Sequence, residues 1–394
     1  MKDVRVKTNG SEVEGLVYVG STQDSINRAI NYVSSQGGGR VFIEAGNYLI
    51  RLPISMKSNV EICGERFKTI LQNDLPTLGF NNSGVIEAVG TIDSIITDIN
   101  INNLFIGNVG NSQTGTNAIY LKYVGNKVSA GLDGVGITYS HYDESNNGGV
   151  IQYQSGAIIK NCTFNNNGTT GVLAVDTFNS NFYDNNFQNN GNAIRLSQSG
   201  RCIISRNIIR NNQSVGVYVS NSRYITITKN NISQCNTSGI VVEGDSVYRE
   251  NSITSNIVQN NIGDGIRVNS YNTLVNGNVV QNNSENGINI NNTMHCTVID
   301  NTVQNNGLVG ISITTCSHNN ICSNVVQHNF SHGISAISSS HRNNINGNAV
   351  QNNGGSTGIN IDSSSYNTVT GNRMSKLTNS NSSGNITSPN IPVS

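Results

Sequence analysis

The sequence predicts an all-β fold, a single-stranded right-handed parallel β-helix with about 22–26 residues per turn and a short N-terminal capping helix. Three features predict it: one motif recurs from about residue 180 to 375, every copy carries three apolar positions, and Asn and Gly fill the turns. A right-handed form is expected because crossovers between parallel strands are almost always right-handed. Helical repeats do not fit, since they need longer, helix-rich copies.

An asparagine marks each copy of the repeat, and successive copies are 22 to 26 residues apart. The series is Asn185, Asn207, Asn230, Asn256, Asn278, Asn301, Asn324, Asn348 and Asn372. The residues three before and two after each of them are apolar, and a third apolar residue follows the Gly of each copy. Strands this short cannot pair within one copy, so each pairs with its equivalent in the next copy, about 4.8 Å away. The Asn rows are therefore predicted to be structural amide ladders.

The sequence divides into an N-terminal extension (1–20), the β-helix (21–375) and a polar C-terminal tail (376–394). Residues 125–148 break the period, which predicts a loop inserted into one turn of the β-helix. Inserted loops on a rigid repeat scaffold often carry binding groups. The tail lacks the repeat and is expected to form a loose cap or a trimming site.

Composition and charge exclude several classes of function. The chain has 23 basic and 23 acidic residues and no Lys/Arg-rich run, so neither nucleic acid nor an anionic membrane is an expected partner. No stretch approaches the length of an apolar membrane span, and we identify no signal-peptide segment at the N-terminus. Seven cysteines without CxxC spacing predict reduced, mostly buried thiols rather than a disulfide scaffold.

The N-terminal third supplies a family resemblance. Residues 21–36 form an amphipathic pattern after a Ser/Thr cap, with Ile26, Ala29, Ile30 and Val33 at helical spacing. The strands GGGRVFIEAGNYLI (37–50) and SNVEICGERFKTIL (58–71) follow. A helix followed by these strands resembles the start of the pectin-lyase-like superfamily, in the branch of rhamnogalacturonases, alginate epimerases and phage tailspikes. The resemblance covers about residues 20–375.

The resemblance implies a glycan bound along one outer face of the β-helix, and activity as a polysaccharide lyase, a glycoside hydrolase, a C5-epimerase or a non-catalytic spike. Elimination at a uronate needs a group that neutralises the carboxylate, a base and an acid. Hydrolysis needs two carboxylates. Outward positions of the strand after the repeat Gly and the 125–148 insertion supply both kinds of group. The candidate catalytic residues are Lys122, His141, Asp143, Tyr153 and Asp176, and the candidate substrate-binding residues are Tyr120, Glu144, Arg195, Tyr218 and Arg267.

Most of the candidates also have a structural interpretation. Lys122 and Arg195 could be ordinary outward charges on a charge-poor surface. His141 and Asp143 could be solvated loop residues, and Tyr153 could belong to the core. Asp176 could simply occupy a turn, and Arg267 could form a weak surface ion pair with Glu243, one turn away.

The catalytic motifs of family members help to choose among these activities. Alginate epimerases carry Asp-Pro-His-Glu where this chain has Ile151-Gln152-Tyr153-Gln154, so an epimerase is the least expected enzyme. No cofactor or metal is expected to be required, and the calcium used by some members has no supporting motif here. The expected function is a lyase or hydrolase acting on an acidic surface or cell-wall glycan, located outside the cell or on a virion. The alternative is a non-catalytic glycan-binding or structural tail protein, and a homotrimer is expected if the chain is a tail spike.

Overall fold

A computed structural model describes residues 2–73, 84–91, 93–108, 117–122, 124, 131–133, 136–138, 147–247, 249–355 and 357–392. It confirms the predicted all-β parallel solenoid. The chain divides into two compact units, Met1–Ile203 and Ile204–Ser394. Each unit is built from three parallel sheets, called sheets 1, 2 and 3 in the order in which one turn visits them.

The first unit contains the α-helix Gln23–Ser35, the short 3-10 helix Arg66–Lys68 and the following strands. Sheet 1 contains Val17–Val19, Lys2–Lys7, Gly39–Ile43, Val60–Cys63, Asn100–Asn102, Gly131–Asp133, Ile158–Lys160 and Asn181–Tyr183. Sheet 2 contains Gly46–Ile50, Thr69–Asn73, Phe105–Asn108, Gly136–Thr138, Thr163–Asn165 and Asn186–Gln188. Sheet 3 contains Ile54–Ser55, Gly84–Val89, Asn117–Lys122, Asn147–Ser155, Thr170–Phe178 and Asn192–Ser197.

The second unit repeats one turn with little change. Sheet 1 contains Ile203–Ser205, Thr226–Thr228, Ser252–Thr254, Leu274–Asn276, Thr297–Ile299, Asn320–Cys322, Asn344–Asn346 and Thr368–Thr370. Sheet 2 contains Ile208–Arg210, Asn231–Ser233, Ile257–Gln259, Val279–Gln281, Thr302–Gln304, Val325–Gln327, Ala349–Gln351, Arg373–Met374 and Ile391–Pro392. Sheet 3 contains Val217–Ser220, Ile240–Glu243, Ile266–Asn269, Ile288–Asn291, Ile311–Thr314, Ile334–Ile337, Ile359–Asp362 and Leu377–Ser380.

The predicted apolar rows form the core. One turn of the second unit buries Ile253, Val258 and Ile266, all 0% exposed, and the equivalent residues of the next turn stack on them in register. In the first unit the rings of Phe164 and Phe187 stack in the same way, with centroids 4.8 Å apart. The interior thus consists of stacked rows of equivalent apolar side chains, and each turn depends on the neighbouring turns to bury its own.

The marker asparagines form the predicted ladder. From Asn207 to Asn372, each backbone N–H donates to the side-chain oxygen of the next marker asparagine at 2.9–3.0 Å. The side chains are buried, and their amide groups also donate to backbone carbonyls, as Asn278 does to Ile253 at 2.9 Å. Backbone groups that face inward at the turn therefore have partners without water.

Both ends of the chain are more regular than the sequence predicted. The N-terminal extension contributes Lys2–Lys7 and Val17–Val19 to sheet 1, beside Gly39–Ile43. The C-terminal tail is not a loose cap. Leu377–Ser380 pairs with Ile359–Asp362, and Asn390 extends the marker ladder beyond Asn372 at 3.0 Å.

Two further predictions need adjustment. The helix buries its predicted apolar face completely, but Thr22 makes no side-chain capping hydrogen bond. Part of the predicted inserted loop is regular, because Gly131–Asp133 and Gly136–Thr138 are strands of sheets 1 and 2. In the described part of the chain, no helix is long and apolar enough to cross a membrane.

All seven cysteines lie among the described residues and none forms a disulfide. Five are buried, and Cys63 and Cys322 are half-buried. Burial raises the pKa of the Cys235 thiol to about 12, although hydrogen bonds from Asn212 oppose the shift. The expectation of reduced, mostly buried thiols is confirmed.

Candidate functional site

Three of the candidate residues, His141, Asp143 and Glu144, lie outside the described residues. The backbone at Tyr153 belongs to the sheet 3 strand Asn147–Ser155, but its side chain is also outside the description. Their assignment therefore stays a prediction from the sequence.

Tyr120 and Lys122 occupy neighbouring outward positions on one strand of sheet 3 in the first unit. Lys122 is half-buried and lies beside Gln152 of the next strand. Tyr120 is only 2% exposed, and its hydroxyl donates to the Gln152 side-chain oxygen at 3.0 Å. Tyr120 thus has the predicted register but not the exposed ring that a sugar-binding residue was expected to present.

Asp176 and Arg195 lie further along the same sheet. Asp176 lies within the strand Thr170–Phe178 rather than in a turn beyond it, although its φ of 48° is left-handed. Burial raises the pKa of its carboxyl above the ordinary value. Arg195 is three turns from Tyr120 in register, about 14 Å along the axis at the spacing of β-strands. The structure therefore does not place Arg195 beside Lys122.

Tyr218 and Arg267 come together in the second unit. They belong to one outward row of sheet 3, separated by Val241, which is 5% exposed. A groove of about 420 Å³ runs over this row and over the turns that precede the strands. Its volume is in the range of small-molecule binding sites. The residues lining it are Ser214, Val215, Tyr218, Asn236, Thr237, Ser238, Val241, Glu243, Ile262, Gly263, Arg267 and Glu285.

The Tyr218 hydroxyl donates a hydrogen bond to the carboxylate of Glu243. Glu243 is two residues beyond Val241, the partner of Tyr218 in register, so both side chains leave the same face of the sheet on adjacent turns. A tyrosine ring is long enough to span this diagonal. The pair places a proton donor and a proton acceptor in one groove.

Arg267 does not pair with Glu243 as the sequence analysis considered. Its Nε donates to Asp264 at 3.0 Å, within the same turn. Asp264 is 0% exposed, whereas the Arg267 side chain is 41% exposed and lines the groove. The buried carboxylate therefore anchors one edge of the guanidinium and leaves the other edge toward the groove.

A second groove of about 350 Å³ adjoins the first at Glu243. It is lined by Asn221, Glu243, Gly244, Asp245, Asn269, Tyr271 and Asn292. Asp245 accepts the backbone N–H of Val247 at 2.9 Å, which shapes the start of the longer turn here. Glu243 is thus the carboxylate shared by two polar grooves.

Sequence reasoning missed Glu285 and Asp245, which line the two grooves, and the buried Asp264, which holds Arg267. A signal for Asp264 existed, because the residue before the repeat Gly is Ser238, Asn286, Val309, His332 or Thr357 in the other turns nearby and is acidic only here. Among the described residues, no group of three or more His, Cys, Asp or Glu side chains could hold a metal ion.

A sequence model of the family described as "Right handed beta helix region" matches residues 79–226, 117–272 and 215–374. The matched residues make up well over half of the chain. The chain belongs to the right-handed β-helix family.

Solved structures show the same β-helix fold at low identity. A mannuronan C-5 epimerase A-module from Azotobacter vinelandii is 14% identical with a TM-score of 0.54, covering 94% of this chain and 95% of that one. The Dettilon tailspike protein is 16% identical with a TM-score of 0.57, covering 86% of this chain and 64% of that one. A DFA-IIIase mutant from Arthrobacter chlorophenolicus A6, in complex with DFA-III, is 13% identical with a TM-score of 0.59, covering 75% and 83%. No curated protein sequence matches this β-helix protein.

Proposed function

We propose that this β-helix protein binds an acidic polysaccharide along the outer face of sheet 3 in its second unit and cleaves it by β-elimination. The observation that carries the proposal is the groove of about 420 Å³ that Tyr218, Glu243 and Arg267 line together. A mannuronan epimerase and a DFA-IIIase bound to DFA-III share the fold, which supports a carbohydrate as the ligand.

The three side chains match the needs of elimination at a uronate. Arg267 faces the carboxylate and stabilises the charge that develops when the C5 proton leaves. Glu243 accepts that proton, the electron pair forms the C4–C5 double bond, and the C4–O bond breaks. Tyr218 donates its phenolic proton to the departing oxygen. The C5 proton on Glu243 then passes along their hydrogen bond to the Tyr218 phenolate, which restores the starting protonation state of both side chains.

Hydrolysis fits the groove less well. Its other exposed carboxylate, Glu285, precedes the strand Ile288–Asn291, whereas Glu243 ends the strand Ile240–Glu243. These strands are two turns apart, about 9.6 Å along the axis at the spacing of β-strands, and the two residues also lie at opposite ends of their strands. A retaining hydrolase needs its carboxyl groups about 5–5.5 Å apart and an inverting hydrolase about 6.5–9.5 Å apart, and the backbone separation of Glu243 and Glu285 exceeds both ranges.

The test is to incubate the protein with uronate-containing and neutral polysaccharides while following new reducing ends and the ultraviolet absorbance of unsaturated uronate. We expect both signals on at least one acidic glycan. Tyr218→Phe and Glu243→Gln should each lower the cleavage rate about 10²- to 10⁴-fold, the usual contribution of a positioned acid or base.

Matched controls make the same chemical changes away from the groove. Tyr366→Phe alters an exposed turn tyrosine, and Glu250→Gln alters an exposed turn carboxylate, so both should cleave at the wild-type rate. Reducing ends without unsaturated product would replace elimination by hydrolysis. Silence on every glycan, with the protein folded, would reject an enzyme.

A non-catalytic tail protein is the second candidate. It is favoured by the outer face of sheet 2, where Gln259, Gln281, Gln304 and Gln327 form an uncharged hydrogen-bonded ladder suited to a stalk. The fold shared with a tailspike supports a location outside the cell or on a virion for either candidate. The homotrimer stays a prediction tied to the tail-spike reading.

A further inference from the structure

Asp264 has a place in the turn that no other acidic residue of the repeat shares. It immediately precedes the repeat Gly of its copy and its side chain is 0% exposed. A buried carboxylate is unfavourable unless several donors surround it. At this position of the turn its charge is not needed for the fold, because other copies use Ser238, Val309 or Thr357.

Four donors surround the Asp264 carboxylate. Oδ2 accepts from Arg267 Nε at 3.0 Å and from Asn289 Nδ2 at 2.9 Å. Oδ1 accepts from the backbone N–H of Asn286 at 3.2 Å and from its Nδ2 at 2.9 Å. One oxygen therefore holds the two outward side chains of adjacent turns, and the other is tied to the backbone of the next turn.

These contacts decide what Arg267 and Asn289 present to a ligand. An ionised carboxylate only accepts hydrogen bonds, so Asn289 must turn its NH₂ group toward Asp264 and its carbonyl oxygen away from it. Arg267 gives its Nε–H to Asp264, and its terminal NH₂ groups remain for the groove. Arg267 and Asn289 are partners in register, about 4.8 Å apart along the axis.

We propose that Asp264, Arg267 and Asn289 form a recognition unit for a uronate, in which Arg267 binds the sugar carboxylate, Asn289 accepts a neighbouring hydroxyl, and Asp264 fixes the positions of both. A guanidinium edge matches a carboxylate in two parallel hydrogen bonds. A carbonyl oxygen beside it requires a donor, which a sugar hydroxyl supplies. Asp264 is a positioning residue, since it touches Arg267 and Asn289 rather than the sugar. The inference rests on the proposed function and adds to it the positioning role of Asp264 and the contact made by Asn289.

Two readouts test the unit. Isothermal titration calorimetry would compare oligogalacturonate, oligomannuronate and oligoglucuronate with their carboxyl-reduced counterparts. We expect the wild type to bind at least one acidic oligomer at least tenfold more tightly than its reduced form. Asp264→Asn and Arg267→Lys should each lower that ratio at least tenfold, whereas Asn289→Ala should weaken acidic and reduced oligomers alike and keep the ratio.

The second readout is independent of any sugar. The Arg267 Nε–H resonance, assigned by its loss in Arg267→Lys, should exchange with solvent at least tenfold faster in Asp264→Asn than in the wild type. Asp300→Asn is the matched control, because Asp300 occupies an exposed left-handed turn position where asparagine fits, and it should alter neither readout. Thermal melting would check folding. If Asp264→Asn does not fold, Arg267→Lys and Asn289→Ala carry the binding test.

The outcomes separate the inference from the proposed function. Equal binding of acidic and reduced oligomers by a protein that still cleaves a glycan would overturn uronate recognition by Asp264, Arg267 and Asn289, and would leave the proposed cleavage standing. Equal exchange of the Arg267 Nε–H in the wild type and Asp264→Asn would overturn the positioning role of Asp264. A wild type that binds and cleaves no glycan would reject the proposed function and uronate recognition together.

Discussion

Replacing Asn278 by alanine should destabilise the second unit strongly. The side chain of Asn278 is 1% exposed, its oxygen accepts from the backbone N–H of Asn256 at 2.9 Å, and its amide donates to the Ile253 carbonyl at 2.9 Å. The side chain makes further hydrogen bonds to Asn276 and Asn301, but the substitution counts most at these two backbone groups, which it leaves without this partner in a place that water does not reach. A buried polar group left without its partner costs about 1–3 kcal/mol, so the two together predict a loss of about 2–6 kcal/mol in the free energy of unfolding.

Gln281→Ala is the matched control for this prediction. Gln281 also donates one ladder hydrogen bond, to Gln259 at 2.8 Å, and accepts one, from Gln304 at 2.9 Å, but it is half-buried on the outer face. Water can replace these bonds, so a loss of about 0.5 kcal/mol is expected. Guanidinium titration followed by circular dichroism measures both variants, with the slope checked for loss of cooperativity. A loss for Asn278→Ala within about 1 kcal/mol of the Gln281→Ala value would refute the ladder argument.

Two further predictions concern titratable groups. Since burial raises the pKa of the Asp176 carboxyl, the folded state favours the neutral acid, and that contribution is present at low pH and lost as the pH rises through the raised value. Asp176→Asn should therefore raise the urea midpoint at pH 7 but not at pH 3, and a loss of glycan cleavage in this variant would instead mark Asp176 as catalytic. At pH 8 a disulfide reagent should titrate at most Cys63 and Cys322 in the folded protein and all seven thiols in guanidinium. Rapid reaction of Cys235, whose thiol pKa burial raises to about 12, would show that this part of the core opens.

The core was predictable because the same pattern of buried positions recurs in every copy of the repeat. Marker asparagines and apolar rows recur in each copy, and stacking needs the same side chain at the same position of every turn. The regular structure of the C-terminal tail was not predicted, because Asn390 follows Asn372 after 18 residues rather than 22 to 26. This last turn is shorter than the repeat, so a search for the repeat period does not find it. The N-terminal strand escaped because it is not part of the repeat, although Val4 and Val6 show the alternation of a half-buried strand.

The site was predictable only in part. Tyr218 and Arg267 were found because outward positions follow from strand alternation. The partner of Arg267 was not, because the sequence analysis considered its outward-row neighbour Glu243, whereas the bond runs to Asp264 three residues earlier, in the turn before the strand. Backbone geometry in a turn, rather than strand periodicity, decides which side chain reaches Arg267 from there.

The most direct test of the central claim is a crystal structure of Tyr218→Phe soaked with an acidic oligosaccharide that the wild type cleaves. The account predicts a sugar chain over sheet 3 of the second unit, with a uronate carboxylate on Arg267 and the C5 hydrogen toward Glu243. Sugar bound instead on the first unit, over Lys122 and Arg195, with the groove at Glu243 empty, would contradict it.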